Sequence, residues 1–328
     1  RSMRGSALGR PRLLRWSERG CTSFVFGSRI MPARASLYRV PAPDPEEEDL
    51  DQPRPFLKWA GGKWALAPQL LALLPEDLGK RTYREPFLGG GAVFFYLSTH
   101  RPPKRAFLSD ALRDLVLTYE VVRDNLSALV TELDRLRTTH DDEQFYRVRD
   151  AFNDKAGGRV VRAAWLIYLN KTCYNGLFRT NRSGHFNVPV GRFAKPRIAH
   201  PERLAACSRA LTGVEVAAKP FDHLTEEAQR GDVIYFDPPY VPISRTANFA
   251  SYSLGAFGLE DQERLAATFR QLDRRGCRLM VSNSDTDDVR RLYKGFDLKR
   301  IEVRRNISSN GSTRGVISEL VVRNTARW

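Results

Sequence analysis

Four residues, Asp237-Pro238-Pro239-Tyr240, combine the side chains in this sequence best suited to chemistry. They close the stretch DVIYFDPPY, in which Val233-Ile234-Tyr235-Phe236 has the β-branched and aromatic content of a buried strand. Two consecutive prolines lack the N–H groups that a central ladder needs, so the strand must stop at Asp237. The outcome is a single carboxylate at a strand terminus, on a backbone stiffened by two rings, beside an aromatic face. Such a group can accept hydrogen bonds from a ligand in a fixed orientation. Taken alone it is equally a strand end with a turn, so its meaning depends on partners elsewhere.

Two further stretches supply partners. EPFLGGGAVFF (85–95) reads as strand, glycine turn and helix, and glycine there permits positive φ and close approach of the backbone to a ligand. Asp110 closes the next strand, RAFLSD (105–110). An acid about twenty residues beyond a glycine turn accepts hydrogen bonds from ribose hydroxyls in dinucleotide-binding folds, whereas an isolated Asp is more often a helix N-cap. Together the turn and the acid point to an adenosine-type cofactor. Upstream, FLKWAGGKWALAP contains Gly61-Gly62-Lys63, but Trp64 follows the lysine. The G-x-x-x-x-G-K-[ST] phosphate loop is therefore absent, which excludes a nucleotide triphosphatase of that type.

The elements that must position these residues alternate. RTYREPFL (81–88) predicts a strand, AVFFYLSTH a helix, RAFLSD a second strand and ALRDLVLTYEVVRDN an amphipathic helix. Three more helical patterns run from 126 to about 170 without strands, and CYNGLFRTNRSGHFNVPVGRF (173–193) reads as hairpin or loop. Strand–helix alternation resumes with GVEVAAK, DVIYFD and GCRLMVSNS and closes on the pair FDLKRIEVRRN and VISELVVRN. The expected class is α/β, a doubly wound, mostly parallel sheet with an inserted helical and hairpin subdomain. The expected boundaries are 54–125 and 212–328 for the sheet domain and 126–211 for the insert. Residues 1–53 are rich in Arg, Ser, Gly, Pro and acid without periodicity, as in a disordered extension. Their Arg/Ser content superficially matches a transit peptide; the plainer account is a basic tail, or an upstream extension with Met31 as the start.

Fifty-three Lys and Arg against 38 Asp and Glu give a net charge of +15, and the basic residues recur along the whole length. That favours a polyanionic partner, most simply nucleic acid. Cys21, Cys173, Cys207 and Cys277 are far apart with no Cys-x-x-Cys spacing, which suits a reducing cytoplasm. The five histidines have no ligand spacing, so no metal is expected. No apolar run approaches the roughly 20 residues of a membrane span.

Five motifs in order, Lys58-Trp59-Ala60-Gly61-Gly62-Lys63, Glu85-Pro86-Phe87-Leu88-Gly89-Gly90-Gly91, Asp110, Asn187-Val188-Pro189-Val190-Gly191 and Asp237-Pro238-Pro239-Tyr240, resemble the Dam family of adenine-N6 DNA methyltransferases. The resemblance covers residues 56 to about 323. It implies a Rossmann-like methyltransferase fold, S-adenosylmethionine as donor and a target-recognition role for the insert. Trp59, Lys63, Asp110 and Asp237 match the family's cofactor-contacting positions, and Phe87, Gly89, Gly91 and Phe221 are added as cofactor-binding candidates. One departure is that the family's Asp-Phe is Pro220-Phe221 here, leaving Asp222 as the neighbouring acid able to substitute.

By this resemblance Asp237, Pro238 and Tyr240 form the catalytic loop. An adenine amine has its lone pair delocalised into the ring and attacks a methyl sulfonium poorly. Hydrogen bonds from its N–H groups to the Asp237 carboxylate and the Pro238 carbonyl would make it more tetrahedral and nucleophilic, with the prolines fixing both acceptors. Tyr240 would stack on a base rotated out of the duplex. No Pro-Cys pair occurs, which argues against a cytosine-C5 enzyme with a cysteine nucleophile. Lys58, Tyr174, Asn175, Leu177, Arg179 and Pro189 match positions at the DNA, and GATC-type recognition is implied. Without the family, Arg179 and Arg182 read equally as phosphate contacts, and Phe178 and Phe186 as core. The implied partner is duplex DNA, in the cytoplasm and at the nucleoid, with a restriction endonuclease of the same site as a candidate second partner. Methylation of cytosine N4, of RNA adenine or of a small amine, and a non-catalytic nucleic-acid-binding module, stay open as alternatives.

Overall fold

Strand β4 (Val233–Phe236) is apolar at every position, and the sheet uses both of its faces. Val233 and Tyr235 enter one core cluster while Ile234 and Phe236 enter a second on the opposite face, as the two-residue period of a strand requires. A strand buried on both sides belongs at the centre of a parallel sheet. A computed structural model describes residues 50–193, 196–240, 257–304 and 316–325. The expected disordered extension lies outside the described residues except for its last four.

Within these residues β4 is the fourth of seven strands, with β1 (Thr82–Glu85), β2 (Arg105–Asp110), β3 (Glu215–Ala218), β5 (Arg278–Ser284), β6 (Asp297–Arg304) and β7 (Val316–Arg323), in the order β3-β2-β1-β4-β5-β7-β6. The first five pair in parallel and β7 runs antiparallel to both β5 and β6. The winding direction reverses between β1 and β4, which opens a crevice beyond their carboxyl ends. The second strand has the bounds read from the sequence. The first stops at Glu85 rather than Leu88, because Pro86 has no N–H to donate to a ladder.

The helices are α1 (Ala67–Leu71), α2 (Ala92–His100), α3 (Arg113–Asp124), α4 (Leu126–Thr138), α5 (Asp142–Asn153), α6 (Arg159–Thr172), α7 (Pro201–Leu211), α8 (Leu224–Glu227), α9 (Leu259–Arg275) and α10 (Asp287–Leu292). Leu224, Phe269 and Val289 carry α8, α9 and α10 into the second core cluster. The first cluster takes Leu97 of α2, Leu115 of α3, Leu129 of α4, Phe145 of α5, Ile167 of α6 and Leu204 of α7. The helices of the insert thus share a core with the sheet rather than enclosing one of their own. Helix α6 is the hub, buried at Ala163, Ala164 and every residue from Leu166 to Asn170, the mark of a helix covered on most sides. Beyond it the 173–193 stretch folds back on itself through antiparallel bridges Thr180–Phe186 and Cys173–Val190.

Candidate active site

A cavity of about 700 Å³ occupies the crevice between β1 and β4. Its floor is the turn after β1, where Gly89 and Gly91 have φ of +48° and +67°. Both lack room for a side chain: a Cβ on Gly89 would lie 2.8 Å from the Trp59 indole, and one on Gly91 2.7 Å from the Tyr119 hydroxyl. Glycine is required at each on two counts. Asp110, at the end of β2, braces the turn by accepting hydrogen bonds from Gly89 N at 3.1 Å and Leu112 N at 3.0 Å. It is not the N-cap of α3, a place taken by Leu112. Burial raises its carboxyl above its ordinary value, opposed by the backbone N–H groups of Leu112, Gly89 and Ala111, and with three donors on a carboxylate that can accept about four, acceptor capacity is left for a ligand.

One wall is aromatic. Phe87 and Phe221 stack with centroids 5.4 Å apart, and Phe257 meets both edge-on. The Arg264 guanidinium lies 5.0 Å over Phe221 and is held by Asp261 at 3.1 Å. The acid expected from Asp222 is not there. The single 3₁₀ turn Phe221–His223 aims Asp222 at Arg264, 3.5 Å away, and Asp222 does not line the cavity. The acid on this wall is Asp261, from the first turn of α9.

Asp237 faces the glycine turn from the end of β4. Its Oδ1 lies 2.9 Å from the ammonium of Lys63, which is 3% exposed and also donates to the Gly61 carbonyl at 2.5 Å. Burial pushes the Asp237 carboxyl up to about 6 against the pull of Lys63. Behind it, Gln262 of α9 donates from Nε2 to the Pro239 carbonyl at 2.8 Å and accepts from Asn283 of β5 at 2.9 Å. The Tyr240 hydroxyl donates to Glu319 of β7 at 2.6 Å, and the Tyr240 ring stands 4.5 Å from the Lys63 ammonium. The loop is therefore pinned from α9 and β7, with Asn283 of β5 holding the α9 amide in place.

Trp59, Lys63, Phe87, Gly89, Gly91, Asp110, Phe221, Asp237, Pro238 and Tyr240 all line this cavity. Glu85, the first residue of the motif Glu85-Pro86-Phe87-Leu88-Gly89-Gly90-Gly91 but not among the candidate site residues, also lines it. It is 3% exposed, accepts from the Tyr83 hydroxyl at 2.8 Å, and burial pushes it up to about 8. Its signal in the sequence is an acid at a strand end immediately before a proline, as for Asp237. That of Glu319 is a lone acid in VISELVVRN.

The remaining candidates lie on an exposed rim. Lys58 precedes Trp59, with its ammonium 5.8 Å from the Phe193 ring. Tyr174, 56% exposed, and Leu177, 41% exposed, flank Asn175, whose φ is +57°. Pro189 is tied to this turn through its carbonyl, which accepts from Tyr174 N at 2.9 Å, and Arg179 donates from Nε to the Asn187 side chain at 3.0 Å. Phe186 is core, whereas Phe178 stacks on Trp59 at 5.5 Å and so links the rim to the cavity.

A doubly wound sheet with a glycine turn, a strand-end acid and an aromatic slot at its switch point is an α/β fold of the class whose ligands sit at the carboxyl ends of the strands. Residues 59–307 match the family model of D12 class N6 adenine-specific DNA methyltransferases, and the chain belongs to that family. Among its relatives, Type II methyltransferase M.MjaIII of Methanocaldococcus jannaschii is 41% identical over 83% of this chain and 99% of that one. Type II methyltransferase M1.LlaDCHI of Lactococcus lactis subsp. cremoris is 37% identical, covering 83% and 95%. DNA adenine methylase of Escherichia coli K12 is 37% identical, covering 82% and 94%. The protein is thus an adenine-specific DNA methyltransferase, and its family implies chemistry dependent on S-adenosylmethionine. No helix among the described residues is long and apolar enough to cross a membrane.

Proposed function

We propose that the cavity takes S-adenosylmethionine and that Asp237, Pro238 and Tyr240 present to it an adenine rotated out of duplex DNA. The observation that carries this reading is the Asp237 carboxylate, lining a cofactor-sized cavity on a loop pinned at Pro239 and Tyr240. The residues present fit the donor. The glycine cradle would be filled by any Cβ, Asp110 keeps acceptors for ribose hydroxyls, and Phe87 and Phe221 offer a face for a purine. Leaving aside Glu85, which burial keeps protonated, the carboxyls of Asp110, Asp237 and Asp261 outnumber the cations Lys63 and Arg264 around the cavity, which suits a cationic ligand. When bound, S-adenosylmethionine supplies an electrophilic methyl on a positively charged sulfur.

The protein's part is orientation and proton handling. Asp237, once ionised, accepts from one N–H of the amine and the Pro238 carbonyl from the other, which localises the lone pair on nitrogen. Lys63 keeps Asp237 ionised and holds its oxygen in place until the amine arrives. After transfer, Asp237 is the acceptor for the proton that the nitrogen must lose. Tyr240, fixed by Glu319, offers its ring to the base, replacing stacking lost from the duplex.

Lys58, Tyr174, Asn175, Leu177, Arg179 and Pro189 form the DNA-contacting rim, with residues 126–211 as the recognition insert between the two parts of the catalytic domain. We assign GATC as the site, read in part by Lys58 and Arg179 through guanine O6 and N7. Its relatives are named both type II methyltransferase and DNA adenine methylase, and we carry two settings for this enzyme, with a cognate endonuclease of the same site and without one, each on DNA at the nucleoid.

The test is methylation of GATC duplexes and their single-substitution variants, with nucleoside analysis of the product. N6-methyladenine confined to GATC is expected. Loss of one hydrogen bond to a developing charge costs on the order of 10²–10³ in rate, so Asp237→Ala should lose at least that while still binding DNA. Near-normal turnover by that variant overturns the mechanism, and equal methylation of every sequence overturns the site assignment.

A further inference from the structure

Asn170 sits in the last turn of α6 with its side chain fully buried. Buried amides are retained where every donor and acceptor has a partner, and those of Asn170 reach far along the chain. Its Oδ1 accepts from Lys58 N at 2.8 Å, and its Nδ2 donates to Lys58 O at 2.8 Å and to Gly176 O at 3.2 Å. One side chain thus satisfies both backbone groups of Lys58, as a neighbouring strand would, and holds the Tyr174–Gly176 turn with its remaining donor.

The fit around it is close. Gly176 has φ of +63°, and a Cβ there would lie 2.4 Å from Lys58 Cδ and 3.0 Å from Lys58 Cβ. Lys58 is followed by Trp59, whose indole rests on Gly89 in the cofactor floor and stacks on Phe178 just beyond the turn. Cofactor floor, Trp59, Lys58, Asn170 and recognition turn therefore form one continuous packed path.

Resting on the reading that this turn and Lys58 touch DNA, we propose that Asn170 is a positioning residue that couples the cofactor cavity to the DNA-contacting turn. With both ends bonded to one rigid helix, a ligand that orders Trp59 also orders the turn, so the two ligands favour each other's binding. Linkage makes this reciprocal: cognate DNA tightens cofactor binding by the same factor that cofactor tightens cognate DNA.

The test uses the full chain, S-adenosylhomocysteine as cofactor probe, and two duplexes, one carrying the methylated site mapped in DNA from expressing cells and one lacking it. Calorimetry gives the affinity of the probe for protein alone and for each protein–DNA complex. For wild type the mapped site should tighten the probe at least about fivefold, the lower end of measured couplings. Asn170→Ala and Asn170→Asp, the second keeping the acceptor for Lys58 N, should bring that ratio to within about twofold of one. In both, kcat/KM on the mapped site should fall more than affinity for the probe alone. Val289→Ala, in the other core cluster, serves as a destabilised comparator and should lose thermal stability without losing the ratio. An unchanged ratio in the variant that folds, the same loss in Val289→Ala, or no coupling in wild type overturns the proposal. If Lys58→Ala and Tyr174→Ala leave site discrimination intact, the DNA-contact reading beneath it fails instead.

Discussion

Replacing Glu85 by Gln should stabilise the protein, by an amount that grows as pH rises from about 5 to 8. An unfolded glutamate titrates near 4.5, whereas burial pushes Glu85 up to about 8 in the folded chain. Between these values the folded state holds one proton more than the unfolded state, so stability falls as pH rises, by about 1.4 kcal/mol per unit. The favourable contribution is fully present below 4.5 and lost by about 8. Accumulated over that window it amounts to about 5 kcal/mol, an upper figure because neighbouring carboxyls titrate within it. Glutamine keeps the volume and an oxygen for the Tyr83 hydroxyl but cannot ionise. Urea unfolding at pH 5, 7 and 8.5 should show the two proteins within about 1 kcal/mol of each other at pH 5, a level typical of conservative exchange. The variant should then gain with each step upward, by several kcal/mol at pH 8.5. A difference that is the same at pH 5 and 8.5 would refute the reasoning, since it would mean that Glu85 does not stay protonated in the folded protein.

Asp237 must be ionised to accept from the amine, so single-turnover rates should rise with pH through about 6; Lys63→Gln, measured at saturating cofactor, removes the opposing charge and should move that limb upward, and a flat profile from pH 5 to 8 contradicts the assignment. Gly89→Ala meets a left-handed φ and the Trp59 ring together, and should cost about 1–2 kcal/mol of stability from the backbone alone with weaker binding of S-adenosylhomocysteine; calorimetry showing unchanged affinity counts against the cradle. Gln262→Leu strands the Pro239 carbonyl and the Asn283 amide, each worth about 1–3 kcal/mol when buried without a partner, and turnover should fall by at least tenfold while cofactor affinity holds; an equal loss in both would point to general unfolding.

Much of this molecule could be read before its fold was seen, and the reason differs by element. RAFLSD was legible as β2 because its burial follows its own composition, and the glycine turn because its requirement is local. Asp110 and Asp237 were legible because strand-end acids lie at ligand sites in doubly wound sheets. What escaped depends on contacts between distant segments. Nothing near Gln262 indicates that its amide will hold a carbonyl 23 residues upstream, nor near Asn170 that it will hold Lys58 across 112. Asp222 stands out in the sequence by adjacency to Phe221, whereas Asp261, which lines the cavity, is 40 residues beyond Phe221 and carries no local mark. The end of β1 was misjudged for a simpler reason, the missing N–H of Pro86.

The position of β7 has a consequence for how this enzyme comes into being on the ribosome. It is the seventh strand synthesised but sits sixth across the sheet, threaded between β5 and β6, and it carries the Glu319 that anchors Tyr240 across 79 residues. Every other wall of the cavity is encoded upstream of it. A nascent chain can therefore assemble its glycine turn and aromatic slot while the aromatic end of its catalytic loop still lacks its anchor. Long-range pairings of this kind form late, because loop closure comes before any contact rewards it. The hydroxyl of Tyr240 thus gains its partner only with β7, so a chain that stops short of this strand can close the cavity around Gly89 and Phe87 while Tyr240, to which we assign the target base, is still unanchored.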